Sequence, residues 1–286
     1  MPKSILKSYS KINLFLNVGR KSHNTKLHNI QTLSCIINIY DKIEIVKINS
    51  PKDIIKFSGK FSRYVNKEKN TVSKCLELLR YKRIIKKHHN YKILIKKNIP
   101  VFSGFGGGSS NAVTLIKYFM KSKKLSDKDI SYFSRNLGSD CRLFFGSKQV
   151  FQKSLNKIVN LKIRIKSYFI LVYPFLKSST KDIYSKVRIH KNLKNNDLYK
   201  KTSKLKIIEN LKYEENSLEK IVISKFPIIQ KILLELRFVK NCQYSRLTGS
   251  GSTCFGLFLT KKSADLGLKK IKKKFPKFWC VVGKTI

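Results

Sequence analysis

One stretch constrains this chain more than any other: Gly104-Phe105-Gly106-Gly107-Gly108-Ser109-Ser110-Asn111-Ala112, a glycine-dense loop running straight into an apolar helix. Upstream, Tyr91-Lys92-Ile93-Leu94-Ile95 alternates like a strand, followed by Ile99-Pro100; downstream, Ala112, Leu115, Ile116 and Phe119 recur at helical spacing. Glycines let several backbone N–H groups turn toward one point with no Cβ in the way. The helix start adds four unsatisfied N–H groups and a partial positive charge. Such a loop cradles phosphate. The bland alternative is a flexible glycine turn before a core helix.

The common phosphate-loop patterns do not fit. No lysine occupies the loop, so the Walker Gly-Lys-Ser/Thr ending is missing. Counted from Gly104, the third glycine of Gly-x-Gly-x-x-Gly is replaced by Ser109.

Composition bounds the rest. The 286 residues allow one large domain or two modest ones, and 42% apolar residues supply a core. No run approaches the roughly 20 apolar residues a membrane span needs, and the start lacks the apolar segment of a secretory signal. The six cysteines show no metal-ligand spacing and read as buried, reduced thiols of a cytoplasmic protein. No metal-ligating residues are expected. A net charge of +46 predicts nonspecific polyanion binding at low salt. The lysines are spread over nearly every polar face, however, and no aromatic interleaving typical of RNA binding accompanies them.

Along the chain, Lys7 to Val18 reads as a strand, residues 19–29 as a loop, and Leu33–Ile39 and Asp41–Ile48 as two more strands. Asn70 to Arg80 is an amphipathic helix with Val72, Cys75, Leu76 and Leu79 on one face. Ser126-Asp127-Lys128-Asp129 resembles a capping box, and Leu143-Phe144-Phe145-Gly146 leads toward a strand. Residues 168–173 form an apolar strand, and 185–220 are polar and partly helical. Ile228–Leu236 is a helix, Cys254–Leu259 a strand, 262–274 a basic helix and Phe278–Val282 a closing strand. Strands and helices without strict alternation imply an α+β fold.

Three separated segments carry chemical signals: Ser10-Lys11-Ile12-Asn13, the glycine loop, and Leu247-Thr248-Gly249-Ser250-Gly251-Ser252-Thr253. In this order they resemble the three ATP-surrounding motifs of the GHMP kinase superfamily. Further segments point to the branch that acts on a cytidine diphosphate-linked methylerythritol in the non-mevalonate isoprenoid pathway. These are His28-Asn29-Ile30-Gln31-Thr32, Asp41-Lys42-Ile43-Glu44-Ile45, Gly59 with Asn70-Thr71-Val72, and Gly138-Ser139-Asp140. The resemblance covers nearly the whole chain and is weakest across 185–225. It implies two lobes, 1–156 and 157–286, with ATP and substrate in the cleft between them. It also implies ATP-dependent phosphorylation of the 2-hydroxyl of 4-diphosphocytidyl-2-C-methyl-D-erythritol. The alternatives are a homoserine- or mevalonate-type kinase of the same superfamily and a basic nucleic-acid-binding protein.

The same resemblance assigns roles. Asp140 matches the general base and Lys11 the lysine beside it. Gly104, Gly106, Gly107, Gly108, Ser109 and Ser110 match the loop holding the nucleotide phosphates, with Mg²⁺ bound largely through ATP and water. Asn70 and Lys97 match the adenine pocket. His28 matches the histidine hydrogen-bonded to the cytosine edge, Tyr184 the ring stacked on that base, and Asn13 a polar residue near the transferred hydroxyl. Thr248 and Gly249 form the small-residue turn that lets substrate approach. Two departures stand out. Lys26-Leu27 replaces the family's Gly-Tyr before the histidine, removing one aromatic partner of the base at a cost of about 1 kcal/mol of stacking. Cys141-Arg142 replaces an apolar residue and proline after Asp140, leaving Arg142 either near the substrate phosphates or on the surface.

Overall fold

The computed structural model describes residues 3–22, 27–121, 125–155, 157–161, 164–193 and 203–286. The chain divides into two compact units. The first comprises Met1–Ser10, Ile39–Val101 and Gly106–Phe145, the second Lys11–Asn38, Phe102–Phe105 and Gly146–Ile286. The two longest strands, β1 (Ser4–Lys21) and β2 (His28–Ile48), each contribute to both units, so no single cut separates them.

In the first unit, β2 pairs antiparallel with β4 (Asn90–Lys96), and β3 (Ile54–Ser58) adds parallel to β4. Ile43 faces Ile95 and Ile45 faces Ile93, so the alternation read from sequence becomes cross-strand apolar pairing on a buried face. Helix α1 (Thr71–Tyr81) buries Val72, Cys75, Leu76 and Leu79. Helix α2 (Gly107–Met120) buries Ala112, Val113, Leu115 and Ile116, and the Cys75 thiol donates to the Ala112 carbonyl at 3.4 Å. Ser126 caps α3 (Asp127–Leu137) by accepting from the Asp129 N–H at 3.1 Å. Cys141–Phe145 forms a short helix, α4, ahead of the strand to which Leu143–Gly146 leads: the Gly138-Ser139-Asp140 turn starts a new helical turn, with Leu143 N–H donating to the Asp140 carbonyl.

The second unit holds β5 (Gln149–Ser154) between β2 and β6 (Lys157–Asn160). A second sheet has the antiparallel order β10-β7-β9-β8, built from β7 (Tyr168–Tyr173), β8 (Ser245–Leu247), β9 (Cys254–Phe258) and β10 (Trp279–Lys284). Its helices are α5 (Thr180–Ser185), α6 (Lys204–Tyr213), α7 (Glu219–Lys225), α8 (Ile228–Arg237) and α9 (Lys261–Lys274). Ile229, Ile232 and Leu236 of α8 and Ala264 and Ile271 of α9 join Ile170, Val172 and Phe258 in one buried cluster. Fully burying such side chains contributes about 1.5–3 kcal/mol each.

The expected break near Tyr40 is absent. Leu33–Ile39 and Asp41–Ile48 are one strand, because the Asp41 carboxylate is fully buried with its hydrogen bonds met. The loop expected at 19–29 is shorter, since β1 runs to Lys21 and β2 begins at His28. Residues 23–26 of that loop, including Lys26, and 194–202 of the polar 185–220 stretch lie outside the described residues. All six cysteines are free, five of them buried. No helix among the described residues is long and apolar enough to cross a membrane.

Candidate active site

In the second unit the opening strand, the first half of the glycine-rich segment and the Thr-Gly-Ser-Gly turn are bonded together. Lys11 N–H donates to the Phe105 carbonyl at 3.1 Å. The 102–105 segment runs alongside the turn, with Ser252 N–H donating to Phe102 O and Thr253 N–H to Ser103 O. Gly104 has φ +80°, and a Cβ there would lie 2.1 Å from the Thr248 carbonyl oxygen, so only glycine permits this approach. The buried Lys11 ammonium donates to Asn13 Oδ1. Asn13 Nδ2 donates to Thr32 Oγ1 at 2.9 Å and Ser34 Oγ at 3.0 Å, while its backbone N–H donates to Thr248 Oγ1 at 3.0 Å. The Asn13 amide is thereby held in one orientation, its carbonyl aimed at Lys11. Gly249 (φ +56°) sits over this pair: a Cβ would lie 3.3 Å from Lys11 Nζ and 3.4 Å from Asn13 Oδ1.

Several side chains behind the turn fix it. Asn216 Nδ2 donates to the Leu247 and Gly249 carbonyls at 2.9 and 2.8 Å. Glu219 Oε2 accepts from Leu247 N–H at 2.8 Å, and burial pushes this carboxyl above its usual range. The Arg246 guanidinium, buried in the same unit, donates to the Leu14, Leu211 and Glu214 carbonyls. From the front, Ser178 Oγ donates to the Ser250 carbonyl at 2.6 Å, and the Thr180 and Ser250 hydroxyls lie 3.0 Å apart. The 178–180 segment opens α5, which carries Tyr184. The ring of Tyr184 lies 6.0 Å from that of His28. His28 is buried, and its Nδ1 lies 3.1 Å from the Gly19 carbonyl. A carbonyl can only accept, so Nδ1 carries a proton, and in the tautomer protonated there alone Nε2 is the acceptor.

The first unit holds the rest of the glycine loop. Gly106 (φ +68°) starts α2 with no side-chain cap, leaving the N–H groups of the first helical turn for an anion. Thr71 Oγ1 donates to the Gly108 carbonyl at 3.1 Å, fixing α2 against α1. The two serines differ. The Ser110 hydroxyl is buried between Ser8 Oγ and the Tyr9 carbonyl, whereas Ser109 is half-buried beside the Gly138 turn, where a Cβ on Gly138 would lie 3.5 Å from Ser109 Oγ. That turn presents Asp140, half-buried, at the start of α4. Lys97 is buried: its ammonium is paired with Asp41 and donates to Asn111 Oδ1 at 3.1 Å. Asp41 also accepts from the Asn98 and Ile99 N–H groups at 2.8 and 2.9 Å. Asn70 is the N-cap of α1, its Oδ1 accepting from Val72 and Ser73 N–H groups at 3.0 Å each. Arg142 is neither exposed nor free. It is buried, its guanidinium donates to Ser131 Oγ at 2.6 Å, and burial lowers its pKa. Burial pushes the neighbouring Cys141 thiol up to about 12, so it is no nucleophile.

With this geometry in view, the similarities to known proteins fall into place. Residues 70–142 match the GHMP kinases N terminal domain and residues 191–277 the GHMP kinases C terminal domain. A Pelagibacter ubique (strain HTCC1062) protein named 4-diphosphocytidyl-2-C-methyl-D-erythritol kinase is 36% identical, the match covering 98% of each chain. The chain belongs to this family of GHMP kinases. The crystal structure of a 4-(cytidine 5'-diphospho)-2C-methyl-D-erythritol kinase has the same fold, with a TM-score of 0.71 at 21% identity over 99% of this chain and 100% of that one. A homoserine kinase from Cytophaga hutchinsonii ATCC 33406 follows at 0.66 and 17% identity over 96% and 94%, so the fold alone does not choose a substrate.

The structure brings some of the motif residues together and gives others partners of their own within the protein. Lys11, Asn13, Thr248, Gly249 and Gly104 come together in the second unit, as do His28 and Tyr184. Ser109 and the Asp140 turn come together in the first. The Lys97 ammonium and the Asn70 carbonyl oxygen are engaged by protein, as is the Ser110 hydroxyl. Asn216, Glu219 and His190 escaped the sequence reading, and so did the pairing of Lys97 with Asp41 and Asn111, although those two residues lie in segments that it singled out. Asn216 and Glu219 carry no local signal. The signal for His190 was its aromatic character near Tyr184.

Proposed function

We propose that this protein transfers the γ-phosphoryl group of ATP to the 2-hydroxyl of 4-diphosphocytidyl-2-C-methyl-D-erythritol. The observation carrying this reading is His28. It is a buried histidine with Nδ1 fixed on a carbonyl, Nε2 left as acceptor, and Tyr184 at 6.0 Å. An acceptor suits the exocyclic amine of cytosine, a donor, and the ring suits its face. Kinases for small alcohols without a base would have no use for such a pair.

In the reaction, the Asp140 carboxylate takes the proton of the substrate hydroxyl as its oxygen attacks the γ-phosphorus. The bond from that phosphorus to the bridging oxygen breaks and ADP leaves. Lys11, oriented by Asn13, steadies the negative charge around the transferred group. The uncapped N–H groups at the start of α2 and the Ser109 hydroxyl hold the nucleotide phosphates, a fit supported by the free N-terminus at Gly106. Ser110 supports the loop from within, and Lys97 and Asn70 shape the wall where adenine would lie through their backbone and fixed side chains. Mg²⁺ would be held largely through the ATP phosphates and water. When bound, that ion neutralises charge on the phosphates.

ATP consumption with 4-diphosphocytidyl-2-C-methyl-D-erythritol, mevalonate and homoserine in parallel tests the reading. Turnover with the cytidine substrate alone is expected; turnover only with another alcohol would remove the cytidine assignment.

A further inference from the structure

Before His28 stands Leu27, 51% exposed, where the family resemblance implies an aromatic residue, which leaves Tyr184 as the one ring expected against the base. A third ring stands beside these two. His190 lies 5.3 Å from His28, ring centre to ring centre, with planes only 22° apart. Its backbone is held on both sides. Val187 N–H donates to the Tyr184 carbonyl at 3.3 Å, and Lys191 N–H donates to the Val18 carbonyl at 2.8 Å, one residue before the Gly19 carbonyl that fixes His28. Lys191 also pairs with Glu215 at 2.7 Å, and Leu193 packs against Gly19, where a Cβ would come within 2.9 Å of it. The His190 side chain itself is exposed.

A ring stacked in solvent on a buried, oriented histidine adds little to the core, while its flat face is ready for another planar group. We propose that His190 is the second stacking ring of the base site, in place of the ring absent at Leu27, and that it contributes to affinity for the cytidine end of the substrate. This rests on the substrate reading above. The chemistry divides between the residues: stacking on His190 and Tyr184 is tolerant of base identity, whereas the His28 acceptor distinguishes the cytosine amine from the carbonyl of uracil. Because His190 touches only the base end, it bears on KM for that substrate and not on the phosphoryl-transfer step.

Steady-state kinetics of the wild type, His190→Ala and His190→Phe with ATP and 4-diphosphocytidyl-2-C-methyl-D-erythritol, beside thermal melting of each, provide the test. His190→Ala is expected to raise KM for the cytidine substrate roughly fivefold, with kcat, KM for ATP and the melting midpoint unchanged. His190→Phe, which keeps a flat ring without the nitrogens, is expected to return KM to the wild-type value. Wild-type turnover with an unchanged KM in His190→Ala would overturn the inference while leaving the substrate assignment intact. A lowered melting midpoint with kcat and both KM values shifted together would also overturn it, in favour of a structural role. No wild-type turnover with this substrate would overturn the substrate assignment first and this inference with it.

Discussion

Gly104 shows how much one residue decides here. Its φ of +80° and the 2.1 Å approach of the Thr248 carbonyl to a Cβ position leave no L-residue a way in without moving the Thr-Gly-Ser-Gly turn. Gly104→Ala is expected to destabilise the fold by about 3 kcal/mol, read as a drop in the urea midpoint; an unchanged midpoint would show that the turn yields freely. Asp140 belongs to the same scale but to chemistry. If Asp140 is the base, as proposed, Asp140→Asn keeps the shape and removes it, so kcat should fall about 10²–10⁴-fold with KM for ATP little changed. Wild-type turnover in that variant would exclude Asp140 from the reaction. Glycine positions and the motif residues Lys11, Asn13 and Asp140 were legible because the constraint on each sits in its own backbone or its place in a motif. The partners of Asn13 were not, since Thr32, Ser34 and Thr248 reach it only through folding.

At the scale of elements, Asn70 holds α1 in place by capping Val72 and Ser73. Aspartate caps as well as asparagine but lacks the amide donor. The Asn70 amide also donates to the Lys67 carbonyl at 3.1 Å, so Asn70→Asp should lower stability by about 1 kcal/mol, read as a lower melting midpoint, and should raise KM for ATP if the amide also reaches adenine; an unchanged KM would leave Asn70 a structural residue alone. Glu219, opening α7, ties that helix to β8 through Leu247. Burial raises its folded pKa, so the folded chain keeps the proton to higher pH than the unfolded chain does. Unfolding then releases a proton between the usual carboxylate range and the raised value. The contribution to stability is full below that window and is lost as pH rises through it. Glu219→Gln retains an acceptor for Leu247 and should flatten the decline in denaturant midpoint measured from about pH 4 to about pH 7. An identical decline in both proteins would remove Glu219 as its source. The amphipathic helices were legible from their 3.6-residue period, as in α1 and α8. The short β8 and the continuity of β2 through Asp41 were not, because neighbours that accept or donate across the fold decide them.

For the whole molecule the net charge of +46 dominates. Like charges repel more in the compact state than in the expanded one, and salt screens them. The melting midpoint should rise between about 20 and about 200 mM NaCl, while nonspecific RNA binding should weaken over the same range. A flat midpoint would mean that the surface arrangement already balances the repulsion. The sequence by itself determined the mixed strand and helix content, the glycine turns, the capped helix starts and the family. The first three follow from local properties, periodicity, the absence of a Cβ, or a side chain reaching its own backbone, whereas the family rests on the resemblance of its ordered motifs. Only the tertiary structure decided that β1 and β2 serve both units, that Ser110 is committed inward while Ser109 stands beside the Asp140 turn, that Lys97 is spent on Asp41, and that His190 stacks on His28. Burial and distant partners set the hydrogen bonds of a polar side chain, and both exist only once segments far apart in the chain have packed together.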